Sequence, residues 1–226
     1  KRAIPADKIM VIPNGVLVPK YDESRIESLK KKYNLQDSTV LGYVGSLSQY
    51  ESLDMLLEVI ARLKNDSCGN VKGLIVGAGP EYDHLIKLSH ELGIKDSACF
   101  TGKVEPDEIY DYYKLIDVFV LARRAARETN LVTPLKPYEA MEAGLCLLMS
   151  DLPAAREIIK ENKTGMLFKD SSKDDLYSKC RLLIRDDSLR RQLGQTAREW
   201  VLANRKWDQV VAGYLPVYEE LINLND

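Results

Sequence analysis

The sequence has few of the residues that bind metals or form disulfides, and it lacks the patterns in which they do so. Its only histidines, His84 and His90, are six residues apart, whereas two histidines that bind zinc from one helix are four apart. No two of its four cysteines form a CxxC pair, the spacing of many structural zinc sites. We therefore predict no metal site and no cofactor, and we expect reduced, buried cysteines in a cytoplasmic protein.

Long apolar runs and an excess of one charge are also missing. No segment approaches the roughly 18 consecutive apolar residues that a membrane-spanning helix requires, so an integral membrane protein is not expected. Lysine and arginine number 32 against 34 aspartates and glutamates, which gives a formal net charge of -2. That balance supplies no overall field to attract nucleic acid. Nucleic acid is therefore not an expected partner, and any basic site must be local.

Strand-length apolar runs alternate with helical patterns along most of the chain. Seven strands are predicted, at residues 8–12, 39–44, 71–76, 98–101, 118–121, 145–149 and 165–168. Helices are predicted at residues 23–33, 52–64, 81–92, 106–115, 137–143, 153–161 and 173–184, with two more after the last strand at 187–203 and 207–224. This alternation predicts an α/β domain with a doubly wound, parallel, Rossmann-like sheet.

Ligands of such sheets bind beyond the carboxyl ends of the strands. The loops at those ends are residues 45–52, 77–80, 102–106, 122–137 and 150–153. Gly45, in YVGSL, would let a ligand approach the backbone, although a plain turn explains it equally well. VGAGP, residues 76–80, lacks the full GxGxxG pattern and the lysine of a P-loop, so a cleft wall is the favoured interpretation. FTGKV, residues 100–104, either presents backbone amides to a nucleobase or only connects two elements.

A basic loop follows the strand at residues 118–121. Arg123, Arg124 and Arg127 lie close together in sequence at the predicted ligand edge, with Glu128 and Asn130 nearby. A solvated surface loop is the alternative interpretation, because clusters of charge usually face water.

The segment LVTPLKPYEAMEAG, residues 131–144, predicts an anion site. Pro134 and Pro137 restrict the backbone on both sides of Lys136, and Pro137 suits the first turn of a helix whose free amides would point into the cleft. The helix dipole contributes roughly 0.3–1 kcal/mol, whereas a cation about 4 Å from a phosphate contributes on the order of 4 kcal/mol at an effective dielectric constant near 20. The lysine would therefore dominate.

Glu139 lies three residues beyond Lys136. A carboxylate beside a phosphate site repels the phosphate unless it faces another group, and charge-assisted hydrogen bonds to two vicinal hydroxyls suit it well. A cation for a diphosphate and a carboxylate for a ribose diol together describe a nucleotide site. The alternative is that Glu139 only interacts with the dipole of its own helix.

The motifs together resemble the C-terminal, donor-binding half of a group 1 glycosyltransferase (glycosyltransferase family 4, GT-B fold). They are KIMVIPNGV, LGYVGSL, YESLDMLLEVI, LIVGAGPEYDHL, FTGKVEPDEIYDYY, DVFVLARR, LVTPLKPYEAMEAG, REII and TGMLF, with Trp207 and Tyr218 in the tail. The resemblance implies transfer of a sugar from a UDP-, GDP- or ADP-sugar donor, with retention at the anomeric carbon and without a metal. It also implies an N-terminal acceptor domain as a partner.

The resemblance implies roles for individual residues. Glu139 would be the second glutamate of the family's pattern Glu, seven residues, Glu, and would bind the donor ribose. Lys136 and the amides around Leu135 would meet the diphosphate, Gly45 would line its approach, and Val104 would meet the base. The implied donor-binding residues are Gly45, Ser46, Val104, Arg124, Pro134, Leu135, Lys136 and Glu139.

The sequence departs from the family pattern at two places. Leu131 stands eight residues before Glu139, where the first glutamate is expected, and Glu128 or Asn130 would have to substitute for it. The basic pair common after the first glycine is replaced by SLSQYES, so Arg123 or Arg124 would supply the charge. Glu128 and Arg123 are therefore the catalytic candidates.

The resemblance also divides the chain. Residues 1–20 would form an interdomain hinge and first strand, residues 21–204 the nucleotide-sugar-binding domain, and residues 205–226 a C-terminal helix packed toward a missing N-terminal domain. The polar start of the chain carries no signal peptide, and we expect it to lie inside a longer protein. A cytoplasmic location is expected, with peripheral contact at the inner membrane face through a lipid-linked acceptor. An epimerase of the same architecture and a non-catalytic binding subunit are the alternative functions.

Overall fold

The computed structural model describes residues 4–223 of the chain. Six strands form one sheet, β1 (Thr39–Val44), β2 (Val71–Val76), β3 (Ala98–Phe100), β4 (Val118–Leu121), β5 (Cys146–Ser150) and β6 (Met166–Phe168). Their order is β3-β2-β1-β4-β5-β6 and every pairing is parallel. The predicted doubly wound, Rossmann-like sheet is therefore confirmed.

Helices cover both faces of the sheet. Those of the main body are α1 (Glu23–Lys32), α2 (Leu53–Asn65), α3 (Tyr82–Glu91), α4 (Ile109–Tyr113), α5 (Arg127–Leu131), α6 (Lys136–Glu142), α7 (Pro153–Arg156) and α8 (Lys173–Arg185). Three more complete the described chain, α9 (Asp187–Asn204), α10 (Trp207–Ala212) and α11 (Leu215–Asn223). Because β4 and β5 are buried along their whole length, their continuous apolar runs have the two-sided cover that a parallel sheet requires.

The predicted strand at residues 8–12 is wrong. Residues 6–8 form a single 3-10 turn instead, and Ile9, Met10 and Val11 are more than half exposed. Their apolar pattern resembles that of a strand, but no neighbouring strand pairs with them in the described residues. An unpaired segment leaves its backbone donors and acceptors to water, so local pattern alone does not make a strand there.

Several predicted helices are shorter or divided in the structure. The helix predicted at residues 106–115 is reduced to α4, and the one at 153–161 to α7. The helix predicted at 207–224 is two helices, α10 and α11, because Gly213 ends the first and Pro216 lies in the first turn of the second, where its missing N–H is tolerated. Its last residue, Leu224, lies outside the described residues. Helix α5 was not predicted.

Helix α9 lies against α6 and β5. Gly194 of α9 approaches the end of α6 so closely that a Cβ atom there would lie 2.2 Å from the carbonyl oxygen of Gly144. Arg198 also donates a hydrogen bond of 2.8 Å to the carbonyl of Glu142. Helix α6, which carries the two site residues predicted from its sequence, is thereby fixed at its C-terminal end.

The two segments at the predicted domain boundaries contact each other. Val16 pairs with Lys206 in an isolated parallel bridge, and its N–H donates to the carbonyl of Arg205 at 2.7 Å. A Cβ at Gly15 would lie 2.7 Å from the Trp207 ring. The division of the chain near residues 20 and 204 stays a prediction.

Candidate donor site

The candidate site lies where the strand order reverses. Strand β1 pairs with β2 on one side and with β4 on the other, and successive strands then run outward in opposite directions. The loops after β1 and β4 therefore diverge and leave a crevice between them, the usual ligand position of this architecture. The N–H of Arg124 donates to the carbonyl of Tyr50 at 3.1 Å, which joins the two loops across the crevice.

Glycines let the loops after β1 and β2 pack backbone to backbone. Gly45 has a φ of +146° and Gly77 a φ of +127°, values that side-chain-bearing residues rarely adopt. A Cβ at Gly77 would lie 2.0 Å from the carbonyl oxygen of Gly45, and one at Gly79 would lie 2.5 Å from that of Leu47. The VGAGP segment therefore supports one wall of the crevice, in line with its favoured interpretation.

Lys136 lies across the backbone of Gly45. A Cβ at Gly45 would lie 2.1 Å from the Lys136 side chain, so a side chain at this position would displace the lysine. The ammonium donates to the hydroxyl of Tyr43 at 2.6 Å and to Oε1 of Glu51 at 3.1 Å. Tyr43 in turn donates to the carbonyl of Ser46 at 2.8 Å. Burial and the Glu51 carboxylate raise the pKa of Tyr43, so its hydroxyl stays protonated and can donate in this way.

Glu51 is a buried carboxylate that links the two loops. It is 0% exposed, and Arg123 binds it through Nε at 3.2 Å and Nη2 at 3.0 Å. Arg123, only 13% exposed in its side chain, is therefore not part of a solvated loop, the alternative considered for the arginines after β4. The pairing of Glu51 with Arg123 and Lys136 was not predicted. The sequence offers one signal for this pairing. An acidic residue lies in one of the loops predicted at the ligand-binding edge of the sheet, and several arginines lie in another.

Glu139 lies in the first turn of α6, as predicted, and its carboxylate accepts a hydrogen bond from a buried tyrosine. Tyr113 donates to Oε2 of Glu139 at 2.6 Å. Tyr113 is 1% exposed, and burial together with the nearby carboxylate raises its pKa, so its hydroxyl stays a donor. Glu139 itself is partly exposed. One oxygen is thus fixed by a buried phenol while the side chain still reaches solvent.

Two of the backbone amides at the start of α6 form hydrogen bonds within the chain. The helix begins at Lys136 instead of Pro137, and the N–H groups of Tyr138 and Glu139 both point to the carbonyl of Leu135, at 2.9 and 3.4 Å. A tight first turn of this kind satisfies donors that would otherwise be open. The amides of Tyr138 and Glu139 are therefore not free, and the contact of the diphosphate with the amides around Leu135 stays a prediction.

The remaining predicted residues do not join this cluster by side-chain hydrogen bonds or ion pairs in the described part of the chain. Arg124 is exposed and pairs with Asp54, while Glu128 is exposed in the first turn of α5. Four further predicted residues remain. Ser46 and Leu135 are exposed, Val104 is half-buried and Pro134 is buried. The structure thus brings together Gly45, Arg123 and Lys136 and adds Tyr43 and Glu51.

Thr129 fixes the loop that carries Arg123 and Arg124. It is 2% exposed, its Oγ1 accepts the N–H of Ala126 at 2.8 Å, and it donates to the carbonyl of Arg124 at 2.6 Å. Thr129 was not predicted, because a threonine within a polar loop carries no sign of burial. Its hydroxyl accepts the N–H of the residue that precedes α5 and so caps the start of that helix.

Residues 4–223 contain no group of three or more histidine, cysteine, aspartate or glutamate side chains arranged to hold a metal ion. Over the same residues, no helix is long and apolar enough to cross a membrane.

A doubly wound parallel sheet with cations gathered at its switch point defines a Rossmann-like domain suited to a phosphate-bearing ligand. Residues 25–200 match the family described as glycosyl transferases group 1, and the chain belongs to that family. A GDP-mannose-dependent α-(1-6)-phosphatidylinositol monomannoside mannosyltransferase of Mycobacterium tuberculosis is 29% identical over 212 residues, which cover 92% of this chain and 55% of that protein.

Two solved structures share the fold. A glycosyltransferase from Rickettsia africae superposes with a TM-score of 0.84 at 18% identity, over 97% of this chain and 59% of its own. HepE of Anabaena, solved in complex with UDP-glucose, has a TM-score of 0.81 at 20% identity, over 97% of this chain and 58% of its own. The resemblance to the GT-B architecture is thereby confirmed. The chain spans about half the length of the curated relatives it matches.

Proposed function

We propose that this chain is the donor-binding domain of a retaining, metal-independent glycosyltransferase, which transfers a sugar from a nucleoside diphosphate donor to an acceptor. The observation that carries the proposal is the pair of cations, Arg123 and Lys136, gathered with Gly45 at the switch point of the sheet. The family supplies the reaction class, and this geometry supplies a place for the diphosphate.

The two cations keep donors for a ligand. An ammonium has three N–H donors and a guanidinium five. Lys136 uses two of its donors, and Arg123 uses one N–H of Nε and one of Nη2 for Glu51. Three guanidinium donors, two on Nη1 and one on Nη2, and one ammonium proton remain. A diphosphate in the crevice would accept from both, and charge-assisted hydrogen bonds of this kind contribute roughly 1.5–3 kcal/mol each.

Glu139 is proposed to bind the ribose. Tyr113 holds one carboxylate oxygen at 2.6 Å, so the orientation of the group is set before any ligand arrives. The second oxygen, on a partly exposed side chain, would accept from a ribose hydroxyl. Because the phenol and the sugar would occupy different oxygens, the two contacts do not compete.

Val104, Ser46, Pro134 and Leu135 complete the proposed contour of the donor site. Val104 follows β3 at the same edge of the sheet and is half-buried, which suits a contact with the flat face or edge of a base. Arg124 is proposed as a further cation for the donor, once it exchanges its exposed partner Asp54 for phosphate.

The donor-sugar contact is proposed to come from Glu128. Leu131, where the family carries its first glutamate, is 72% exposed and apolar, so it offers no hydrogen bond to a sugar hydroxyl. Glu128 lies one turn earlier on α5 and is the nearest acidic residue along the chain. Arg123, the second catalytic candidate, is proposed to stabilise the leaving diphosphate.

A second domain is proposed to cover exposed apolar side chains of the two terminal segments. Large apolar side chains are exposed on both segments, among them Ile9, Val11, Val211, Leu215 and Ile222. Exposed apolar clusters of this kind mark interfaces, and the chain spans about half of its relatives. Closure of two domains around the donor would exclude water and position the acceptor.

The location follows from the acceptor. We propose a cytoplasmic enzyme with peripheral membrane contact, supported by a relative whose name specifies a phosphatidylinositol-linked acceptor. The contact surface would belong mainly to the second domain.

A thermal-shift and calorimetry panel of UDP, GDP, ADP and their sugars tests the donor-binding function. The wild-type chain should be stabilised by one nucleoside diphosphate series and not by free sugars. The GDP and UDP series are the first to compare, because the named relatives use GDP-mannose or bind UDP-glucose. If no nucleotide in the panel binds, the proposed function is wrong.

Leu131 supports a second candidate, a non-catalytic subunit that binds donor without transferring it. The exposed leucine in place of the sugar-binding glutamate is the observation that favours it. Acceptor-dependent release of nucleoside diphosphate by the full-length protein would exclude this candidate. Donor binding without turnover, across a panel of lipid and sugar acceptors, would favour it.

A further inference from the structure

We propose that Glu51 is a positioning residue of the donor site, whose buried carboxylate holds the Lys136 ammonium and the Arg123 guanidinium together as one preformed site for a diphosphate. The inference rests on the proposed donor-binding function and deepens it. Glu51 follows β1, whereas both of its cations follow β4, at sequence separations of 72 and 85 residues.

The carboxylate brings two like charges close together. Nη2 of Arg123 and Nζ of Lys136 both bind Oε1 of Glu51, at 3.0 and 3.1 Å. The two nitrogens therefore lie no more than about 6 Å apart, a separation at which two partly buried cations repel strongly. Glu51 cancels one of the two charges and leaves one net positive charge for the ligand.

The carboxylate also fixes directions. Arg123 is bound through two nitrogens, which restrains its guanidinium plane, and Lys136 is held between Glu51 and the Tyr43 hydroxyl. Long basic side chains lose considerable rotamer entropy when they are immobilised by a ligand. Here that ordering precedes binding, so a ligand does not have to immobilise either side chain.

The turn that carries Glu51 is held in an unfavourable conformation. Ser52 has a φ of 52° and a ψ of 43°, the left-handed region that residues with a Cβ adopt at a cost. Its hydroxyl is buried and has no hydrogen-bond partner in the described residues. Local strain of this kind is tolerated where the surrounding structure needs a particular geometry, and here it directs Glu51 inward.

The charge state of Lys136 gives this role a measurable signature. Burial lowers the pKa of Lys136, Glu51 opposes that effect most strongly, Arg123 adds to the lowering, and Glu139 weakly opposes it. Tyr43, the remaining titratable group against the ammonium, is neutral because its pKa is raised. Removal of the Glu51 charge should therefore lower the pKa of Lys136 further, and the ammonium should be lost at a lower pH.

The test compares Glu51→Gln with Glu58→Gln. Glu58 lies on α2 and pairs with Lys173, so its substitution removes the same charge from an ion pair outside the site. Binding of UDP-glucose or GDP-mannose, whichever binds the wild type, is measured by calorimetry between about pH 6 and pH 8.5. The diphosphate of either donor keeps its charge over this range. We expect Glu51→Gln to bind the donor more weakly and to lose affinity at a lower pH than the wild type, because the ammonium is lost earlier, whereas Glu58→Gln should keep the wild-type profile.

Two outcomes would overturn the inference. One is a Glu51→Gln protein whose affinity and pH profile match the wild type. The other is a loss of the same size when Glu51→Gln is introduced into Lys136→Met, because a residue that acts through Lys136 should have a smaller effect once the lysine is gone. If the wild type binds none of UDP, GDP, ADP and their sugars, the proposed function fails instead.

Glu51→Asp keeps the test decisive if Glu51→Gln does not fold. Aspartate retains the charge but withdraws it by one methylene group, roughly 1.5 Å, so the cations should be misplaced rather than neutralised. We expect weaker donor binding with a wild-type pH profile and unchanged binding of the free nucleoside. Full donor affinity in Glu51→Asp would contradict a positioning role.

Discussion

Lys136→Met removes one of the two cations of the site and keeps most of the side chain that covers Gly45. In the folded chain the ammonium donates to Tyr43 at 2.6 Å and to Glu51 at 3.1 Å. Glu51 keeps both of its bonds to Arg123 after the substitution, so the buried carboxylate is not left without a partner. The substitution therefore tests ligand binding more than folding.

The expected loss of diphosphate affinity follows from the ammonium. One charge-assisted hydrogen bond to a phosphate contributes roughly 1.5–3 kcal/mol. Its loss should raise the dissociation constant about ten- to 150-fold. The Coulomb value for a cation about 4 Å from a phosphate, on the order of 4 kcal/mol at an effective dielectric constant near 20, sets the upper bound. Affinity for the corresponding free nucleoside should not change, because it carries no phosphate to sense the charge.

Calorimetry with a nucleoside diphosphate and its nucleoside measures both losses on the same protein. Lys173→Met is the matched control, because Lys173 also pairs with a glutamate, Glu58, but on α8, away from the crevice. The control should bind both ligands as the wild type does. Equal losses for nucleoside and diphosphate in Lys136→Met would refute the assignment of the ammonium to the phosphates.

Three further substitutions test other parts of the structure. Gly45→Ala should lower the free energy of unfolding by about 1–3 kcal/mol, because a φ of +146° is strained for alanine. It should also weaken diphosphate binding by displacing Lys136. An unchanged melting temperature and affinity would contradict both expectations. Glu139→Gln should reduce the preference for ribonucleotides over 2′,3′-dideoxynucleotides in calorimetry, whereas a variant with the full preference would show that the carboxylate does not bind the ribose. Ser52→Gly should raise the melting temperature by roughly 2–4 °C, about 1 kcal/mol, because it relieves a left-handed φ and removes a buried hydroxyl without a partner; a lower melting temperature would show that the hydroxyl is stabilising.

The sheet could be predicted from the sequence because each of its strands coincides with a short apolar run. β4 and β5 are unbroken apolar runs between polar loops, and burial on both faces requires such runs. Helix boundaries were less predictable, since they depend on turns such as the one at Gly213. The false strand at residues 8–12 shows the limit of local pattern, because a strand exists only beside a partner.

The site was predictable only in part. Lys136 and Glu139 stand out because prolines and a helical start surround them in one short segment. Glu51 does not stand out, because the cations that it binds are 72 and 85 residues away along the chain. Only folding brings them together. Tyr113 could not be predicted for the same reason. It donates a hydrogen bond to Glu139, but the sequence around Glu139 does not indicate this partner.

The close packing of Gly194 on Gly144 has a mechanical consequence. Because Gly194 has no side chain, α9 packs directly on the backbone that follows α6, which restrains the orientation of that short helix. Lys136 and Glu139 lie at the opposite end of α6, so the position of α9 also affects how both side chains align with the loop that carries Gly45 and Glu51. A methyl group at Gly194 would collide with the Gly144 carbonyl, displace α6 from α9 and misalign both side chains at once.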